Sequence, residues 1–234
     1  TSEIKNHLTG QTAENAKQQY RRDRDPRNAL LRRAIVHFAV DTEQVFMTTR
    51  LSGDSTRFLP FNRGDGDRAG NPARAGYRTG YLWEEVWSRD AWLDLLARFV
   101  LTTTDDATGK KATLFPRYHQ WSAVLSLVAS ARSQGAGQSY LVQHSAGSGK
   151  SNTIAWLAHR LSSLHAADDR PVFDKVVVIT DRLVLDRQLQ ETIYQFERTH
   201  GVVAKIDQDS KQLAEALAGE QARIVITTIQ KFPH

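Results

Sequence analysis

Residues 109–234 predict an α/β domain built on a parallel sheet, and residues 1–108 predict a separate, less regular part before it. Three observations carry this division. After residue 118, helical and strand patterns alternate, the order that folds into a parallel sheet covered on both faces. Short continuous apolar runs, Val176 to Ile179 and Ile224 to Ile226, suit strands buried on both sides. The stretch TTTDDATGKK at 102–111 has the composition of a linker between the two parts.

In chain order, residues 30–40 (LLRRAIVHFAV) and 44–49 (QVFMTT) read as a helix or strand feeding a buried strand. Residues 53–80 are rich in Gly, Arg, Asp and Asn, with Asn71-Pro72 marking a turn, so a long irregular loop is expected there. Asp90 stands where it would N-cap a helix with Trp92, Leu93, Leu95, Leu96, Phe99 and Val100 on one face. Tyr81, Trp83, Trp87 and Trp92 read as core packing, with base stacking as their other use. In the second part, helices are predicted over 118–131, 150–164, 183–196 and 210–218. Strands are predicted over 139–143, 175–180, 202–206 and 222–227.

Between the strand at 139–143 and the helix that follows lies SAGSGKS, residues 145–151. A strand, a small-residue loop, Lys-Ser and a helix together cradle a nucleoside triphosphate. Gly147 and Gly149 let successive N–H groups turn toward phosphate oxygens, and Ser145, Ala146 and Ser148 complete a loop without bulk. The helix beginning at Lys150 adds its positive N-terminal end. The Lys150 ammonium would reach the β- and γ-phosphates, and the Ser151 hydroxyl would take a place on Mg²⁺. His144 stands where the full pattern has its first Gly.

Composition narrows the setting. Hydrophobic residues make up 40% of the 234 and charged residues 24%, as in ordinary globular proteins. No apolar run approaches the roughly 18 residues needed to cross a membrane, so no membrane partner is expected. The absence of cysteine excludes disulfides and thiolate metal sites, and it fits a cytoplasmic protein. The net charge of +5 suits a polyanion such as nucleic acid. His119, His144, His159 and His165 show no metal-ligand spacing. Arg21, Arg22, Arg24, Arg27, Arg32 and Arg33 form a basic stretch interleaved with Asp23 and Asp25, which reads first as a solvated helix face and second as a DNA contact.

The second half resembles the first RecA-like domain of a superfamily 2 helicase or translocase. Besides SAGSGKS, Gln120 in Arg117-Tyr118-His119-Gln120 sits where such motors read the adenine edge. Thr180-Asp181-Arg182 and Thr228-Ile229-Gln230 resemble strand-end motifs that touch the nucleic-acid backbone. In the first half, Glu3-Ile4-Lys5 is similar to the ExK element of a PD-(D/E)xK nuclease. Further stretches, FLPFNRG at 58–64, AGNP at 69–72 and YLWEE at 81–85, are similar to the R subunit of type I restriction enzymes.

The resemblance implies the C-terminal part of a nuclease domain over 1–108 and the start of a RecA-like P-loop domain over 109–234, truncated at both ends. It implies ATP and Mg²⁺ as cofactors, double-stranded DNA as substrate, and methylation and specificity subunits as partners. Glu3 would hold Mg²⁺ near the scissile phosphate, with Lys5 orienting the attacking water and offsetting charge. The second carboxylate of that family's site is expected upstream of Thr1. Of the Gln-x-x-x-Tyr element that usually follows, Tyr20 is present but Ala16 stands four residues before it, so either Gln18 or Gln19 stands in for the glutamine or the register differs. Thr180, Arg182, Thr228 and Gln230 would hold DNA phosphates without reading sequence. An enzyme of this kind and a non-catalytic, nucleotide-gated DNA-binding or assembly module are the two function classes this pattern allows.

Overall fold

The computed structural model describes residues 1–66, 68–104, 109, 111–181, 183–197 and 201–232, with 183–188 described by backbone alone. The chain divides into two compact units, Thr1–His119 and Gln120–His234.

In the first unit a four-stranded sheet runs in the order β1 (Ser2–Ile4), β2 (His37–Val40), β3 (Val45–Thr48), β4 (Leu59–Pro60). β1 and β2 are parallel, and the other neighbours are antiparallel. The connection between the parallel pair carries helices α1 (Ala13–Arg22) and α2 (Ala29–Arg33). Ala13, Ala16 and Tyr20, spaced three and four apart, form the buried face of α1. That face packs on Ala39 and Leu51.

Asp41, 5% exposed at the end of β2, ties these pieces together. Its carboxylate accepts the Ala13 N–H at 2.7 Å, the Glu43 N–H at 2.8 Å and the Gln44 N–H at 2.7 Å. His7 approaches at 3.0 Å. Burial alone would raise this carboxyl, but these donors outweigh it and hold it below the usual range.

The long stretch after β4 is organised by side-chain amides. Asn62 Oδ1 accepts the Val45 N–H, and Asn71 Nδ2 donates to that same oxygen. Arg63 pairs with Glu85 at 3.0 Å and lies over the Tyr81 ring. Tyr81, fully buried, donates to the Phe61 carbonyl at 2.7 Å. The stretches FNRG, GNP and YLWEE therefore act as one scaffold.

Some expectations for this unit are corrected. The helix after residue 88 is short, α3 (Arg89–Asp94), with Ser88 rather than Asp90 at its N-cap, and it runs into a π-helical turn over Leu95–Phe99. Ser88 φ/ψ are non-helical, so it supplies the boundary, and Asp90 falls in the first turn, where its charge suits the helix dipole. Leu93 is 52% exposed and Trp83 40% exposed, so neither belongs to the core. Thr102–Thr104 and Lys111, expected in a linker, pair in an antiparallel hairpin of β5 (Leu101–Thr104) and β6 (Lys111–Leu114). The division into compact units falls after His119.

In the second unit the helices are α4 (Tyr118–Gln134, beginning at the division), α5 (Lys150–Ser162), α6 (Leu183–Gln195) and α7 (Ser210–Ala218). The strands are β7 (Val176–Thr180), β8 (Val203–Lys205) and β9 (Ile224–Thr228). They form one parallel sheet in the order β7-β9-β8, and central β9 is buried along its whole length. Trp156 on α5, 1% exposed, packs edge-on against Phe196 at 5.3 Å. The strand predicted over 139–143 does not form, and Leu141 is 92% exposed. A three-residue apolar run supplies side chains for a buried strand but no hydrogen-bonding partner, and without one the backbone takes no strand geometry.

Candidate nucleotide-binding site

The loop at 145–149 has the geometry its residue types imply. Gly147 (φ 72°) and Gly149 (φ 81°) both lie in the left-handed region, where a side chain would be strained. Gly149 is the N-cap residue of α5, so the turn ends where the helix dipole begins. Lys150 and Ser151 head that helix, where backbone N–H groups have no intrahelical acceptor. The Lys150 ammonium folds back onto the loop, donating to the carbonyls of Ser145 at 2.9 Å and His144 at 3.1 Å. Ser145, Ala146 and Gly147 are exposed, and Ser148 is buried.

Gln120, 3% exposed on α4, supports the loop from behind. Its amide nitrogen donates to the carbonyls of Gly149 at 2.9 Å and Ser148 at 3.2 Å. The amide expected to meet adenine thus also braces the phosphate loop.

A groove of about 690 Å³ runs between α5 and β7. Lys150, Ser151, Thr180 and Asp181 line one end, and Ile154, Leu157, Val177 and Ile179 line its apolar length. The phosphate loop and the C-terminal end of β7 thus share one opening. Asp181, which the sequence reading treated only as a neighbour of Arg182, stands in that opening; its place two elements after the loop gave no signal.

Of the residues expected to touch nucleic acid, Thr180 and Thr228 are register partners at the ends of β7 and β9. Gln230 is exposed and donates to the Asp181 carbonyl at 3.2 Å. Thr228 is 1% exposed, because β9 is the central strand, and its hydroxyl is buried behind this rim rather than presented on it. Arg182 lies outside the described residues.

Glu3 and Lys5 lie in the other unit and face the same side of the sheet, as alternation requires. Glu3 is held by Arg24, whose Nη2 and Nε lie 2.6 Å and 2.8 Å from Oε1. Lys5 donates to Gln19 Oε1 at 2.5 Å. Tyr20 is buried, its hydroxyl 3.0 Å from Thr1 Oγ1, and burial pushes it up to about 12. Arg24 was not assigned to this site from sequence, since helix spacing alone does not show which strand residue a side chain meets.

Residues 119–234 match the SWI2/SNF2 ATPase family. The match covers the unit that carries the phosphate loop and supports a helicase-like, nucleotide-binding ATPase motor there. A search of curated proteins finds no match to the chain. An ATPase of this kind uses ATP, usually with Mg²⁺, and the SWI2/SNF2-like segment fits that ligand on its own chemistry. Two left-handed glycines open the loop, Lys150 supplies the cation, and Ser151 supplies a hydroxyl at the head of the helix. ATP, when bound, supplies the phosphoanhydride whose cleavage powers a motor. Lys150 would exchange its two carbonyl acceptors for phosphate oxygens, and Ser151 would offer its hydroxyl to the accompanying Mg²⁺.

The nuclease cation fares differently. Among the described residues, no group of three or more His, Cys, Asp or Glu side chains converges to hold a metal. Glu3 already has Arg24 as its cation, and Asp41 is committed to backbone N–H groups. These residues do not by themselves make a Mg²⁺ site, and no cleavage step is derived through one. No helix among the described residues is long and apolar enough to cross a membrane.

Proposed function

We propose that the chain is part of the ATP-dependent, DNA-translocating and DNA-cleaving subunit of a type I restriction endonuclease. The observation that carries the reading is the phosphate loop opening into the same groove as Thr180 and Asp181 at the end of β7. A nucleotide held there adjoins the strand ends where phosphates of a duplex would be gripped, the arrangement by which a motor couples the two ligands. Thr180, Gln230 and Arg182 would hold that backbone, with Thr228 behind them. The first unit supports the nuclease side of the reading through Glu3 of β1 and Lys5 just past its end, beside Gln19 and Tyr20 of α1. Domains over 1–108 and 109–234, a cytoplasmic setting, and methylation and specificity subunits as partners belong to the same proposal.

A second reading rests on the Glu3–Arg24 pair. With its carboxylate already neutralised, the first unit would serve as a DNA-binding or assembly module gated by the nucleotide. The two separate in the protein that carries this chain, assembled with methylation and specificity subunits on unmethylated duplex DNA. Glu3→Ala and Lys5→Ala are expected to abolish ATP-dependent cleavage while ATP hydrolysis persists. Cleavage unchanged in both variants rejects the nuclease assignment and leaves the module.

A further inference from the structure

The connection between β1 and β2 ends on a cavity that the nucleotide site does not use. Its volume is about 350 Å³, and Arg27, Arg32, Arg50, His37 and Thr49 line it, from the turn before α2, α2 itself, β2 and the end of β3. Arg27 pairs with Asp25, its Nε 3.2 Å from Oδ1. Among the described residues, neither Arg32 nor Arg50 has an ion pair. Three arginines line one small volume and Asp25 is the one carboxylate paired with them, so the cavity carries net positive charge that suits an anion.

We propose that this cavity is a phosphate-binding site that takes the backbone of nucleic acid. Guanidinium groups offer paired N–H donors that match two phosphate oxygens, and Thr49 adds a hydroxyl. Burial holds His37 neutral at ordinary pH, so the site's positive charge comes from the arginines. The cavity opens on the side of the sheet that carries Glu3, because Glu3 is the register partner of Ala39, two residues along β2 from His37. Arg24, on the same connection as Arg27, reaches Glu3. One run of chain therefore places cations both at the proposed cleavage residue and at the cavity, so that a strand held in the cavity continues toward Glu3.

This inference rests on the reading that the chain works on DNA, and it adds where the first unit holds that DNA. The test is binding of the full chain to a short duplex across about 50 to 200 mM salt, where each lost phosphate contact lowers the slope of log affinity against log salt by about 1. The unmodified chain is compared with Arg32→Ala/Arg50→Ala and with Arg32→Lys/Arg50→Lys, each checked for cooperative melting. The alanine pair is expected to flatten the slope by about 2, and the lysine pair to recover most of it. An unchanged slope in a folded alanine variant overturns the site while leaving DNA binding intact. No duplex binding by the unmodified chain overturns both this inference and the DNA reading. Inorganic phosphate is titrated in parallel: binding of it that depends on the arginines, with an unchanged duplex slope, assigns the cavity to free phosphate and rejects the backbone.

Discussion

Gln120 shows how one buried side chain can set the shape of a phosphate loop. Replacing it with alanine removes a donor from the Ser148 and Gly149 carbonyls, while Gly149 keeps the N–H groups of Asn152 and Thr153. The loss of a buried partner costs about 1 to 3 kcal/mol. Gln120→Ala is therefore expected to lower nucleotide affinity by about tenfold or more, with a lower melting temperature, and Gln120→Glu to do worse, since it aims an acceptor at two carbonyls. Unchanged affinity in both would show that the loop holds its shape without the brace. His37 carries a different test. It is 1% exposed, and burial lowers it from 6.5 to about 4. The unfolded chain takes up a proton through about pH 6.5 while the folded chain stays neutral, so stability falls as pH drops from 6.5 toward 4 and levels off below. His37→Gln should flatten that fall in a denaturation series. Asp41 acts lower: its folded carboxyl is depressed, so its contribution is full above the ordinary carboxylate range and fades as pH falls through it. Lys150 and Ser151 are legible because the spacing of their loop is local, and Gln120 only through the family resemblance of Arg117-Tyr118-His119-Gln120. Arg24 was hidden, because its meeting with Glu3 depends on how a helix lies on a strand, and the same dependence is why sequence left Gln18 and Gln19 both open beside Lys5.

At the level of elements, the second unit was nearly legible throughout. β7, β9 and all four helices match the periodic patterns to within a few residues, but only β9 is buried on both sides as an unbroken apolar run predicts, since Val177 and Ile179 of β7 are exposed. The exception, residues 139–143, has the same kind of run, yet pairing decides a strand and pairing is not local. In the first unit the hairpin β5-β6 was missed for the opposite reason: its threonines and lysine look like a linker, although threonine suits a strand well. The element that fixes the site is α5. Trp156 anchors it against Phe196, so Trp156→Ala should cost about 3 to 5 kcal/mol and loosen the helix whose first turn holds Lys150 and Ser151. Chemical denaturation followed by nucleotide titration at low denaturant checks this, and a loss of stability under about 1 kcal/mol would mean that the packing around α5 is not what holds it.

Taken whole, the molecule joins a unit with a helicase-like motor signature to a unit whose strand and helix carry Glu3, Lys5, Gln19 and Arg24. Nucleotide binding is the claim on which the rest depends, since translocation and coupling both follow from a loop that receives phosphate. The direct measurement is a titration of the chain with a fluorescent ATP analogue, with and without Mg²⁺, beside Lys150→Ala. Saturable binding that Mg²⁺ strengthens and Lys150→Ala abolishes is the predicted result. Binding by neither protein, or equally by both when each is folded, would contradict the assignment of residues 145–151 as the phosphate-binding loop.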